Sequence, residues 1–269
     1  MAGETKSLRF AVLIDADNAS PQIAAGLFEE IAELGEATVR RIYGDFSSSR
    51  LNGWSALLAR HAILAHQQFA NTTGKNASDI ALVIDAMDLL HSGRVDGFCL
   101  VSSDSDFTRL ASRIREEGLE VYGFGEKKTP ESFRQACKRF IYTENLMGGG
   151  AAAAPVEPIA PGTAASAGPP VPPADPAAAT RAREPVQNAV PMLRNAVNRL
   201  DSDDGWVGLS GLGQMLRNLA PDYDPRNYGC RNLLDLLQKT EAFELRQSET
   251  KHWFVRIPAK KPPPPKPRA

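Results

Sequence analysis

A chain of 269 residues, 42% hydrophobic and 23% charged, has the means to bury one large or two small cores, and no apolar run approaches the roughly 18 residues that a membrane-spanning helix needs. The opening MAGETKSLRF lacks the apolar segment of a secretion signal, so the expectation is a soluble cytoplasmic protein with no membrane partner. The net charge of -1 conceals two halves of opposite sign: residues 1–147 carry 16 basic and 20 acidic groups, net -4, and residues 185–269 carry 13 and 9, net +4. An acidic half joined to a basic half points to a charged site in the first and a polyanion partner for the second. Cys99, Cys137 and Cys230 are odd in number and widely spaced, which fits neither a disulfide framework nor a zinc set and implies a reducing compartment.

In chain order, RFAVLIDA predicts a strand, and SPQIAAGLFEEIAEL predicts a helix that Ser20 caps with Pro21 at its first position. EATVRRIYGDF is a second strand, SALLARHAILAHQQ a helix or a helix-to-strand passage, and SDIALVIDAMDLLHSG a helix. DGFCLVSS, DFTRLASRIREEG and LEVYGFG read as strand, helix and strand, followed by TPESFRQACKRFIYTENL as a last helix running into an extended end. Strands separated by helices predict an α/β domain over residues 6–147, a mostly parallel sheet with helices on both faces. From Gly148 to Glu184 the composition falls to Ala, Pro and Gly, with too few large apolar groups to offset the entropy of ordering. That stretch reads as a disordered linker that leaves the orientation of its flanking domains unfixed. Over residues 185–258, three segments at helical spacing (PVQNAVPMLRNAVNRL, GLSGLGQMLRNL, GCRNLLDLLQKT) precede two alternating ones, AFELRQ and HWFVRI. They predict a small winged-helix-like α+β domain, with residues 259–269 as a basic, proline-rich tail.

Ligands gather outside the carboxyl ends of the strands in open parallel sheets, and two strands here end in acid. AVLIDADN places Asp15, Asp17 and Asn18 at one end, and FCLVSSDSDF places Asp104 and Asp106 at another; Asp79 sits at a helix start that can face the same rim. Asp15, Asp79, Asp104 and Asp106 together form a set of hard oxygen ligands suited to Mg²⁺ or Mn²⁺ held partly through water. Such ions acidify a bound water and stabilise charge developing on a phosphodiester, so metal-dependent phosphodiester hydrolysis is the reaction class indicated. Structural readings stand beside this one. Asp79 is also explained as a helix-start acid beside Ser78 as cap, and Asp106 as the cap of the helix beginning near Phe107. Asp85 is open between a supporting and a structural role, and the side chains of Asp15 and Asp17 can diverge at their strand end. His61 and His66, five apart on an expected helix, diverge on its surface and complete no zinc set.

In order and spacing, AVLIDADN, RRIYGDF, SDIALVIDAMDLL, LVSSDSDFTRLASRIREEGLEVYGFG and TPESFRQACKRFIYTENL resemble the NYN domain of the LabA-like group, a PIN-like nuclease fold. The resemblance spans nearly all of residues 8–146 and implies a metal-dependent ribonuclease site at the carboxyl edge of a parallel sheet. On it, Asp15 and Asn18 match the family's first Asp and the Asn three positions on, Asp79 the acid opening the central helix, and Asp104 and Asp106 the acids of its second strand end. Ser103 and Ala16 stand where the family commonly has Gly, and neither change touches ligation.

DGWVGLSGLGQMLRNLAPDYDPRNYGCRNLLDLLQKTEAFELRQ, followed by KHWFVRI, is similar to an OST-HTH, or LOTUS, domain, which implies binding of RNA or of a protein partner. Trp206, Leu209, Leu212, Leu216, Leu233, Leu236 and Leu237 read as its core. Arg226, Tyr228, Arg231, Lys239 and Arg246 combine positive charge with a stacking aromatic and are the candidates for a nucleic-acid face. Lys260, Lys261, Lys266 and Arg268 in the tail add salt-dependent attraction to phosphate. The combined expectation is a ribonuclease in which the first domain cuts RNA and the second delivers it. The alternatives are a non-catalytic RNA- or protein-binding adaptor and, by fold analogy alone, a DNA-binding regulator.

Overall fold

A computed structural model of the chain describes residues 7–69, 77–147, 184–200, 205–248 and 251–258. The expected linker of residues 148–184 lies outside them except for its last residue, and the expected tail of residues 259–269 lies wholly outside them. Six parallel strands form the first sheet: β1 (Arg9–Asp15), β2 (Glu36–Gly44), β3 (Leu64–Gln67), β4 (Gly97–Val101), β5 (Glu120–Gly125) and β6 (Arg139–Tyr142), in the order β3-β2-β1-β4-β5-β6. This is the expected PIN-like α/β arrangement, and its order reverses between β1 and β4.

The period-two alternation of β1 divides the core. Phe10, Val12 and Ile14 pack on one face with α1 (Ala24–Leu34) and with Trp54 of the short α2 (Asn52–Ser55). Ala11 and Leu13 pack on the other with α3 (Ala77–His91), α4 (Thr108–Glu116) and α5 (Glu131–Ala136). A strand with apolar side chains on both faces has to be covered twice, which is why its sequence is an unbroken apolar run. Ser20 accepts from Gln22 N–H and caps a 3₁₀ turn over Pro21–Ile23 that leads into α1. Gly118, at φ +82°, releases the chain from α4 into β5.

Two expectations are refined here. The passage SALLARHAILAHQQ starts at Ser55, the last residue of α2, and runs through turns into β3, so His66 lies on a strand, while His61 stacks on Phe28 with ring centroids 5.1 Å apart. The extended end after α5 is a sixth ladder strand, its residues Arg139 to Tyr142 in register with Tyr122 to Gly125.

The second domain packs α6 (Val190–Arg199), α7 (Leu209–Leu219) and α8 (Leu233–Thr240) against a three-stranded antiparallel sheet of order β7-β9-β8. Its strands are β7 (Val207–Gly208), β8 (Glu244–Gln247) and β9 (Trp253–Arg256), so the expected hairpin gains a short third strand. Leu212, Leu216, Leu236 and Leu237 are fully buried. Trp206 is only partly buried and has the guanidinium groups of Arg246 and Arg256 over its ring, each 4.6 Å from the centroid. Cys99, Cys137 and Cys230 are free and buried, and among the described residues no helix is long and apolar enough to cross a membrane.

The two domains are docked, where the linker's composition predicted an unfixed orientation. Linker composition reports on the linker alone and says nothing of whether the folded parts adhere. Phe140 N–H on the outer edge of β6 donates to Pro221 O at 2.8 Å, and Asn145 Nδ2 donates to Asn227 Oδ1 at 2.7 Å. Tyr142 Oη donates to Asp222 Oδ2 at 2.7 Å, and Arg134 pairs with the same carboxylate. Beside these, Glu30 and Asp224, each 6% exposed, share Arg139 and Arg226: Arg226 meets Glu30 at 2.9 Å and Asp224 at 2.7 Å, and Arg139 meets them at 3.1 and 3.6 Å. Two buried carboxylates matched by two guanidinium groups make the contact specific, since separating either partner strands a desolvated charge.

Candidate active site

Asp15 is the last residue of β1, beside the order reversal of the sheet, where a parallel sheet opens a crevice. It is 1% exposed. Its Oδ2 accepts from Asn18 Nδ2 and from Ser102 Oγ, both at 2.7 Å, and its Oδ1 accepts from Asp17 N–H at 3.2 Å. Burial pushes its carboxyl pKa up, and the donations from Asn18, Ser102 and the Asp17 amide draw it back. The carboxylate is therefore fixed in one orientation by three donors.

Ser102 closes the neighbouring strand end. Its hydroxyl donates to Asp15 and accepts from Asp104 N–H at 3.1 Å, so one side chain ties the ends of β1 and β4 together. Gly125 of β5 lies against the same segment, and a Cβ there would stand 2.6 Å from Ser102 O, so only glycine lets β5 approach so closely. Beyond Ser102, Asp104 Oδ1 accepts from Asp106 N–H at 2.9 Å and caps the 3₁₀ turn Ser105–Phe107. The cap of this helix start is thus Asp104 and not Asp106, because only Asp104 has the extended backbone that a cap requires. Phe107 anchors the turn in the core at 2% exposure.

Asp79 lies in the first turn of α3, and Ser78 lies inside that helix. Partial burial, and then the charges of Asp15, Asp104, Asp106 and Asp17, push the Asp79 carboxyl up to about 6. Like-charge repulsion on Asp79 thus comes from Asp15, Asp104, Asp106 and Asp17, which lie within electrostatic reach of it. Among the described residues, no group of three or more His, Cys, Asp or Glu side chains is gathered closely enough to hold a metal ion as it stands. A hard divalent ion that keeps several of its waters is the form that suits these acids, since their oxygen chemistry fits and added positive charge relieves their crowding.

The other acids named from the sequence are engaged elsewhere. Asp17 pairs with Arg50 at 2.6 Å on the outer surface. Asp85 accepts from Arg41 and from Tyr43 Oη, both at 2.8 Å, and His66 Nδ1 lies 3.3 Å away. The partners of Asp85 on β2 and β3 make it a clamp between α3 and the sheet. Burial lowers the His66 pKa against the opposing pull of Asp85. A cleft of about 210 Å³ borders Asn18 and is lined by Ser20, Gln22, Glu126 and Glu144.

The basic residues named in the second domain do not share one face. Arg226 is held between Glu30 and Asp224 at the domain boundary, and Lys239 pairs with Asp235 at 3.0 Å. Arg246 lies over Trp206 and Phe254, and Tyr228 packs against the apolar core. Arg231 is exposed at the start of α8. Sequence reasoning missed Ser102, although the alternation of β4 continued by one residue past Val101 turns its side chain toward Asp15. It also missed Arg41 and Tyr43, which carry no local signal because Asp85 lies 44 and 42 residues away.

Comparison with known proteins assigns both domains. Residues 9–145 match the NYN domain family, and residues 181–255 match the OST-HTH/LOTUS domain family. Among solved structures, a protein of unknown function from Vibrio parahaemolyticus RIMD 2210633 is similar at 18% identity and a TM-score of 0.44, over 52% of this chain and 94% of that one. An uncharacterized protein from Nitrosomonas europaea is similar at 26% identity and a TM-score of 0.25, over 37% of this chain and 93% of that one. No curated protein matches the chain.

Proposed function

The chain belongs to the NYN domain family and carries a C-terminal OST-HTH/LOTUS domain, and from that premise we propose that it is a ribonuclease dependent on Mg²⁺ or Mn²⁺. NYN domains are nucleases and OST-HTH/LOTUS domains bind RNA. The observation that carries the proposal is the placement of carboxylates from separate elements, the ends of β1 and β4 and the start of α3, in one neighbourhood at the switch of the sheet.

Asp15, Asp79, Asp104 and Asp106 would hold the metal. Bound there, the ion supplies neutralisation of phosphate charge and a more acidic attacking water. Asn18, Ser102 and the Asp17 amide orient Asp15, and Ser102 sets the spacing of Asp15 and Asp104. The acidic rim repels RNA on its own, so the basic second domain supplies attraction, and its docking gives the captured strand a fixed bearing on the rim.

Cleavage of labelled single-stranded and structured RNA with Mn²⁺, with Mg²⁺ and with EDTA tests this, comparing wild type with an Asp104→Asn, Asp106→Asn double variant. Cleavage that needs the metal and is lost in the variant supports the proposal. A folded wild type that binds RNA or a protein partner and cuts nothing under any metal condition makes the chain an adaptor.

A further inference from the structure

A cleft of about 890 Å³ opens between the two domains, walled by Glu30 and Glu33 of α1 and Arg139 of β6 on one side and by the starts of α7 and α8 on the other. Its volume falls within the roughly 300–1,000 Å³ of clefts that take small ligands, room for a nucleotide unit of a single strand. Four observations give it a chemical character. The first turns of α7 and α8 both line it, through Leu209 and Ser210 and through Leu233 and Leu234, and helix starts present free N–H groups and positive potential. α7 has no side-chain cap at its start. Arg217 and Arg231 also line it; among the described residues Arg217 bonds only to Gln214 Oε1 at 3.0 Å, and the Arg231 guanidinium makes no hydrogen bond or ion pair. Finally, Tyr223 is 8% exposed in the wall, and its hydroxyl is buried there with no hydrogen-bond partner among the described residues.

Four of the remaining charges of the cleft cancel. Arg139 and Arg226 are matched by Glu30 and Asp224, which leaves Arg217 and Arg231 against Glu33. The uncapped start of α7, the start of α8, where Asn232 caps only the Asp235 N–H, and two guanidinium groups with no carboxylate partner among the described residues form a receptor for phosphate oxygens.

Resting on the ribonuclease reading, we propose that this cleft grips the phosphodiester backbone of single-stranded RNA between the domains, with Arg217, Arg231 and Tyr223 as its contacts. The cleft lies beside Arg139 at the start of β6, and the acidic rim lies at the carboxyl ends of the strands. The rim at the ends of β1 and β4 lies one short strand length along and two to three strands across from there, so an RNA gripped here reaches it over about 16–20 Å. Of the residues expected from sequence to face RNA, Arg231 lies in this cleft as a contact, whereas Arg226 is part of its framework.

The test measures binding of a labelled oligouridine to the full-length protein in EDTA, by fluorescence anisotropy across a range of salt. An Arg217→Gln, Arg231→Gln double variant is expected to bind at least about tenfold more weakly and to lower the salt slope by about 1.4, two single-strand phosphate contacts at about 0.7 each. Tyr223→Phe, which keeps the packing and removes the hydroxyl, is expected to weaken binding severalfold. Glu33→Gln removes an opposing charge from the first-domain wall and is expected to tighten binding roughly threefold. Oligouridine bound equally by wild type and all three variants overturns the cleft while leaving RNA binding intact. A wild type that binds no oligouridine overturns the RNA reading itself.

Discussion

Arg226 reaches across the domain boundary to Glu30, Nη1 to Oε2 at 2.9 Å, over a sequence separation of 196 residues. Glu30 is almost fully buried, so the pair has little water to fall back on, and its loss costs about 3–5 kcal/mol of docking energy. Glu30→Lys sets a third cation against Arg139 and Arg226. The expected outcome is undocking, seen in small-angle scattering as a larger radius of gyration, with each domain still melting cooperatively. An unchanged scattering profile would show that the contact is held without this network.

Ser102→Ala removes the hydroxyl that donates to Asp15 and accepts from Asp104 N–H. Loss of one buried hydrogen bond costs about 1–2 kcal/mol of stability. The larger effect is expected on function, a fall of about 10–100-fold in Mn²⁺ affinity, because a group that orients a ligand is lost. Isothermal titration with Mn²⁺ checks this, and Ser102→Thr, which keeps the hydroxyl, is expected to recover most of the affinity. Equal Mn²⁺ affinity in the alanine variant would remove Ser102 from the site.

Asp79 gives a pH signature. Its carboxyl is pushed up to about 6 from an ordinary 3.8, so between those values the folded protein holds a proton that the unfolded chain has released. The group's contribution to stability is full below the lower value and is lost as the pH rises through the upper one. In EDTA, Asp79→Asn is therefore expected to be more stable than wild type near neutrality, by about 1 kcal/mol once its partial exposure to solvent is allowed for, and no more stable at pH below 4. Urea unfolding at the two pH values measures it. A variant less stable than wild type at neutral pH would mean that Asp79 is a favourable helix-start acid and no member of a repelling cluster.

Asp85→Asn tests the division between site and scaffold. Asp85 meets Arg41, Tyr43 and His66 on the strands behind α3, so replacing its charge is expected to lower stability by about 1.5–3 kcal/mol. Metal affinity per folded molecule should stay within about twofold of wild type, since none of these partners is among the rim acids. A tenfold loss of Mn²⁺ affinity at full folding would bring Asp85 into the site.

The α/β organisation was legible because β1, β4 and β5 are apolar apart from charged end residues and are separated by helices with caps and a terminating glycine. The carboxylates at the strand ends were legible for the same reason, because a buried strand has to stop somewhere and Asp15 and Asp104 stand where the apolar runs stop. β3 and β6 have four residues each, too few to show a period, and both follow helical patterns that absorb them. The dual partnership of Ser102, the engagement of Asp85 with β2 and the pairing of Arg226 with Glu30 depend on residues brought together only by folding. Arg226 illustrates the limit well: an arginine in a basic segment reads as a solvated contact for RNA, and nothing local marks it as half of a buried ion pair.

The bond from Phe140 N–H to Pro221 O has a bearing on self-association. β6 is an outer strand of the six-stranded sheet, and an unpaired outer strand invites a second copy to add itself. Pro221 supplies an acceptor and has no N–H of its own, so it occupies the edge without offering a new one on which pairing could continue. The second domain is in this sense a stopper for the first. Proteolytic loss of the second domain would leave a first domain prone to stacking edge to edge, even with every residue of the acidic rim intact.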